Sequence, residues 1–205
     1  MNDPFLQLPV LPVVVPLGVA VFGLLLWRLR ARRLLTLPRA AVAAAVGVYA
    51  AGIVGNTIFP IYLHPAPVSE PWSPAIVLVA FADYEIEDAL TNVLVFVPIG
   101  LIAPLLLARA SWLRVTAVAA AVSLTVELSQ LAAQRFFGGG HIADVSDLLS
   151  NVAGGVLGYA LFVLLTRIPR AARLIEPFRW TTPARPGSRT DADRDDAAAA
   201  RRPRV

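Results

Sequence analysis

An all-α membrane bundle with five transmembrane helices is the fold class this sequence predicts, and three observations predict it. The 205-residue chain is 57% hydrophobic and only 16% charged, far more apolar than a soluble domain. Several of its apolar runs reach the ~20 residues that a helix needs to cross a bilayer. Arginine supplies all 18 basic residues, and 17 of them fall after the first, third or fifth of those runs. That alternation is the topology bias of membrane loops, and it accounts for most of the pI of about 10.3.

The first run, Leu8 to Trp27, carries Pro9, Pro12 and Pro16, so its regular helix is expected from about Val13. WRLRARR follows it. A secretory signal has its charges before the apolar stretch, so this run reads as a retained anchor with its N-terminus outside. A second crossing begins after Pro38, a favourable first-turn residue, and runs from Arg39 to about Phe59, stopping at Pro60. A Pro-rich loop comes next, and then Ala75 to Ala82, which at eight residues is too short to cross and reads as an interfacial or re-entrant piece. The remaining crossings are expected at about Thr91 to Leu107, Trp112 to Ala133 and Leu148 to Thr166. Residues 1–41 thus form an anchor and basic loop, 42–166 a membrane core, and 167–205 a basic, disordered cytoplasmic tail with little to bury beyond Thr181.

One orientation satisfies the arginines: a multi-pass cell-membrane protein, N-terminus outside and C-terminus cytoplasmic, with Arg135 the lone cation on the outer side. The acids Asp3, Glu70, Asp83, Glu85, Glu87, Asp88, Asp144 and Asp147 then lie outside, with His64 and His141. No nucleic-acid partner is expected, because the basic residues are split among loops and a tail without interleaved aromatics. Membrane lipids are the expected partners. Cysteine is absent, which excludes disulfides, thiolate metal sites and a cysteine nucleophile.

Polar residues that enter the apolar runs single out one level of the bundle. On the fourth helix Glu127, Gln130 and Gln134 are spaced three and four apart on one face, with Glu127 about 10 Å below the outer end. On the fifth, Asp144, Asp147 and Asn151 form a stripe continued by Gly154, Gly155 and Gly158, and Asn92 opens the third at the same level. An ionisable group in hydrocarbon costs a few kcal/mol, so it faces the bundle interior or a wet cavity and has a partner; Arg135 is one candidate for Glu127. Interhelical hydrogen bonding with close glycine contacts is the structural alternative, and helix capping would account for one of the two aspartates.

The runs TNVLVFVPIG (Asn92, Phe96, Pro98, Gly100), ELSQ (Glu127, Gln130) and DVSDLLSNVAGGVLGY (Asp147, Asn151, Gly154, Gly158), with YAAGIVGNTIFP before them, resemble the VanZ-like family of integral membrane proteins over about residues 42 to 165. The resemblance implies a four-helix membrane core, here preceded by one N-terminal helix, and a link to teicoplanin susceptibility, since the family is named after a protein associated with it. Where relatives often carry an arginine three residues before the position of Asp144, this chain has His141.

Two classes of function follow. In the first, the chain acts on or binds a lipid or lipid-linked head group at the outer leaflet of the cell envelope, influencing glycopeptide susceptibility. Glu127 and Asp147 are then the catalytic candidates, with Glu127 as general acid or base. Asn92, Gln130, Arg135, His141 and Asn151 are the substrate-binding candidates. Asp144 and Asp147 are the candidates for a hard divalent cation, Mg²⁺ or Ca²⁺. No reaction-specific motif spacing accompanies them. In the second class the protein is a non-catalytic interaction partner, for lipid, a glycopeptide or another membrane protein, and the polar cluster is interhelical packing. Transport is disfavoured by the lack of a repeat pair or a continuous polar path.

Overall fold

A computed structural model describes residues 7–61, 76–77, 79–81, 85–137 and 143–180, with Gln134, Phe137 and Ala143 described by their backbone only. Five helices are long and apolar enough to cross a membrane: α1 (Leu11–Ala31), α2 (Leu37–Thr57), α3 (Ile86–Leu106), α4 (Trp112–Phe137) and α5 (Val145–Arg167). The predicted all-α bundle of five crossings is therefore what forms. His64 and His141, most of the Pro-rich loop and residues 181–205 lie outside the described residues.

Helix limits differ from the expected ones for local reasons. α1 begins at Leu11, two residues early, because Pro12 sits in its first turn, where the missing N–H costs nothing. α3 begins at Ile86, five residues early, since Glu87 and Asp88 favour the positive end of the helix dipole. α5 begins at Val145 because the Asp144 carboxylate accepts the Ser146 N–H at 2.7 Å and caps it. Within the expected short apolar piece, Ile76–Val77 is extended and pairs in parallel with Ala143–Asp144, joining the two loops of one end. Residues 169–180, expected as part of a disordered tail, carry a short helix α6 (Pro169–Ile175) and a 3₁₀ turn at Glu176–Phe178. Trp180 explains this order. It buries against Leu29, Val42 and Ala43, its backbone N–H donates to the Leu105 carbonyl at 2.8 Å, and Arg39 Nε donates to the Arg179 carbonyl.

Contacts between helices fix how they alternate. Leu8 N–H donates to the Ile61 carbonyl, so the start of α1 meets the end of α2. Gly18 of α1 and Gly47 of α2 touch backbone to backbone. α3 and α5 run parallel, in the closest packing of the bundle: a Cβ on Gly154 would fall on the Val93 carbonyl oxygen and one on Gly158 on the Val97 carbonyl oxygen. In lipid no hydrophobic force draws helices together, so small residues that admit backbone contact supply the association. α4 runs antiparallel to both, with Trp112 edge-on to Tyr159 at 4.7 Å between ring centroids. The arginines of the first and third connections and of residues 167–179 gather at one end of the bundle. Glu85, Glu87, Asp88, Asp144 and Asp147 gather at the other, along with Arg135.

Candidate functional site

At the acidic end three helices bring polar side chains into the bundle, as the spacing of Glu127, Asp147, Asn151 and Asn92 predicts. Glu127 is 7% exposed, a buried carboxyl in a membrane-spanning helix. Its Oε2 accepts the backbone N–H of Asp144 at 3.3 Å. Glu127 precedes the end of α4 by ten residues, about 15 Å of helix, so the mouth of α5 lies well below the tip of α4. Non-helical backbone at such depth is tolerated where protein covers it, and here α4 and the Ile76–Val77 pairing do so.

The stripe Asp144, Asp147, Asn151 is real as a helix face, but its members serve three different neighbours. Asp144 caps its own helix and offers its N–H to Glu127. Asp147 turns to α3, where its Oδ1 accepts from Asn92 Nδ2 at 2.5 Å. Asn151, 3% exposed, turns to α4 and donates from Nδ2 to Ser123 Oγ at 3.0 Å. α5 is thus wedged between α3 and α4 with a polar bond on each side. Two buried amide oxygens, Asn151 Oδ1 and Gln130 Oε1, have no hydrogen-bond partner among the described residues. Along α4 they bracket Glu127, Asn151 through Ser123 one turn below it and Gln130 one turn above.

Arg135, the candidate counter-charge, stands eight residues beyond Glu127, about 12 Å along α4, exposed, with its guanidinium carbon 5.9 Å from the centroid of the Phe136 ring. Asp144 and Asp147, the candidate cation ligands, are committed to the helix cap and to Asn92. Among the described residues no group of three or more acids or histidines is gathered to hold a metal ion.

Sequence reasoning missed the hydroxyls. Ser123, fully buried, sits four residues before Glu127 on the same face, a signal available from spacing alone. Ser146, also fully buried, accepts the Phe81 N–H on its Oγ at 3.0 Å, tying the loop before α3 to the first turn of α5. That bond joins residues 65 apart, and nothing local announces it.

Beside the cluster lies a cleft of about 620 Å³ with α3 as its floor and α2 and α4 as its walls. Val126 and Ser129 of α4 line it at the level of Glu127, on the neighbouring face of the same helix.

Fold and site together define a multi-pass helical membrane protein with a buried carboxyl-amide cluster at one end. The family model for VanZ/LLP1 matches residues 46–166, more than half of the chain, from the middle of α2 to the last turn of α5. This chain belongs to the VanZ/LLP1 family, and α1 and the segment after Thr166 lie outside the matched residues. No curated protein and no solved structure was found to match it.

Proposed function

We propose that this VanZ/LLP1 family protein binds a lipid or lipid-linked head group at its acidic end, that this end faces the cell exterior, and that the binding alters glycopeptide susceptibility. The observation that carries the reading is Glu127. A carboxyl in the membrane span is costly to bury, and among the described residues this one receives a long backbone N–H bond from Asp144 and no other. The oxygens of Asn151 and Gln130, which have no partner among the described residues, bracket it, so the cluster offers acceptors that those residues leave unsatisfied. Buried acceptors without donors are unfavourable unless a ligand or water completes them. In this reading Glu127 exchanges a proton or hydrogen bond with the head group, Gln130 and Asn151 orient it, and Arg135, near the end of α4, and His141 bind its anionic part. The arginine-rich opposite end then faces the cytoplasm.

A second reading has support at specific residues. Asn92 with Asp147 and Ser123 with Asn151 Nδ2 form bonds between helices, and those bonds need no ligand to explain them. Asp147 is therefore assigned to holding α5 against α3, and the site role is concentrated on Glu127.

The test uses cells lacking the native protein and compares wild type with Glu127→Gln for membrane level and teicoplanin susceptibility. Normal accumulation with loss of the wild-type phenotype is the expected result. Normal accumulation with wild-type susceptibility would remove Glu127 from any functional role, and disappearance from the membrane would assign it to packing.

A further inference from the structure

We propose that the cleft between α2, α3 and α4 is the seat of a single lipid hydrocarbon chain, whose head group reaches the Glu127 cluster. The proposal rests on the head-group reading only for the direction in which the chain enters. Its own support is the chemistry of the walls.

Among the described residues no formal charge lines the cleft, although both ends of the molecule are charged. Four hydroxyls do line it, and every one is turned away. Thr57 Oγ1 donates to the Ile53 carbonyl at 2.8 Å, Thr125 Oγ1 to the Ala121 carbonyl at 2.8 Å, and Ser129 Oγ to the Thr125 carbonyl at 2.7 Å. Tyr49 OH crosses from α2 to donate to the Val95 carbonyl of α3 at 2.8 Å. With their hydrogens spent on backbone, these side chains present carbon to the cleft. The complementary occupant is uncharged and makes no hydrogen bonds along its length, which excludes a glycan or an extended peptide and fits an acyl or isoprenoid chain.

From Val118 to Ser129 the α4 wall is about 16 Å long. The cleft volume of 620 Å³ falls in the range of sites that take small ligands, the room of a slender chain. Its acid-end residues, Val126 and Ser129, share a turn of α4 with Glu127, so a chain lying in the cleft brings its polar end to the level of the cluster.

The experiment reconstitutes the full chain in phosphatidylglycerol vesicles doped with phosphatidylglycerol carrying a diazirine at mid-acyl chain. After photolysis, adducts are mapped by mass spectrometry. Adducts are expected on Ile53, Ile102 and Val122 at about tenfold the level on Val48 and Leu164, exposed residues outside the cleft, the ratio that a 1.4 kcal/mol preference produces. Ile53→Trp, which fills the cleft from one wall, is expected to abolish the excess, with Ala121→Trp filling it from the other wall should the first variant fail to accumulate. Even labelling of cleft and outer residues, or an excess that survives both tryptophans, overturns the proposal in favour of ordinary surrounding lipid. Crosslinks joining two copies across the cleft overturn it in favour of a second chain. Preferential labelling that persists in Glu127→Gln supports the cleft by itself. Should that same variant retain wild-type teicoplanin susceptibility, the head-group reading fails while the cleft stands.

Discussion

The α3–α5 seam and the α2–α4 cleft cross the same apolar span and meet the same helix, α3, yet they solve the problem of contact in opposite ways. At the seam, glycine removes the side chain and lets Gly154 and Gly158 rest on the carbonyl oxygens of Val93 and Val97. At the cleft, α2 and α4 present branched side chains and inward-bonded hydroxyls, and the walls stay apart. The contrast teaches that apolar surface in a membrane does not close by itself. Closure needs backbone contact at small residues or a polar bond between the two walls, and among the described residues neither joins α2 to α4 along the cleft, so a gap remains.

The largest break in that comparison is Gly154→Leu. Its side chain cannot be placed without displacing the α3 backbone at Val93, so we expect a loss of about 3 kcal/mol or more and little protein in the membrane, measured by membrane level and by melting in detergent. Gly52→Ala is the matched control, since a Cβ there meets nothing within 4 Å. A smaller effect is expected from Asp147→Ala, about 1 kcal/mol, and a double-mutant cycle with Asn92→Ala should recover most of it as coupling between the two. Smallest is Thr125→Val in the cleft. Its hydroxyl bonds only its own helix, so the change should stay within about 0.5 kcal/mol by the same melt and leave lipid labelling unaltered.

Much of this was legible in the sequence because hydrocarbon imposes a simple rule on the residues that enter it. Five apolar runs, the arginine alternation and the spacing of Glu127 and Asn151 placed the helices and gathered the polar groups at one end. The spacing of Asp144, Asp147 and Asn151 marked a helix face correctly, but which neighbour each side chain takes depends on α5 being wedged between α3 and α4. That is a packing fact, absent from any one helix. Hydropathy puts the α3 start five residues late because acids count against a crossing while favouring a helix N-terminus. The cleft was invisible, since its lining residues are as apolar as every other lipid-facing side chain and the inward turn of Thr57, Thr125 and Ser129 leaves no trace in composition. Trp180 stands in a basic, Pro-rich context that reads as tail, and its packing on Leu29, Val42 and Ala43 with two hydrogen bonds to the bundle holds that segment in place.

The central claim is that Glu127 is kept for function and not for packing. The most direct measurement sets the melting temperature of purified Glu127→Gln beside its teicoplanin phenotype. Glutamine keeps an oxygen for the Asp144 N–H and removes the cost of a buried carboxyl, so the account predicts a melting temperature equal to or above wild type together with a lost phenotype. A lowered melting temperature with the phenotype retained would contradict it and return the cluster to the interhelical packing that Asn92 and Asp147 already exemplify.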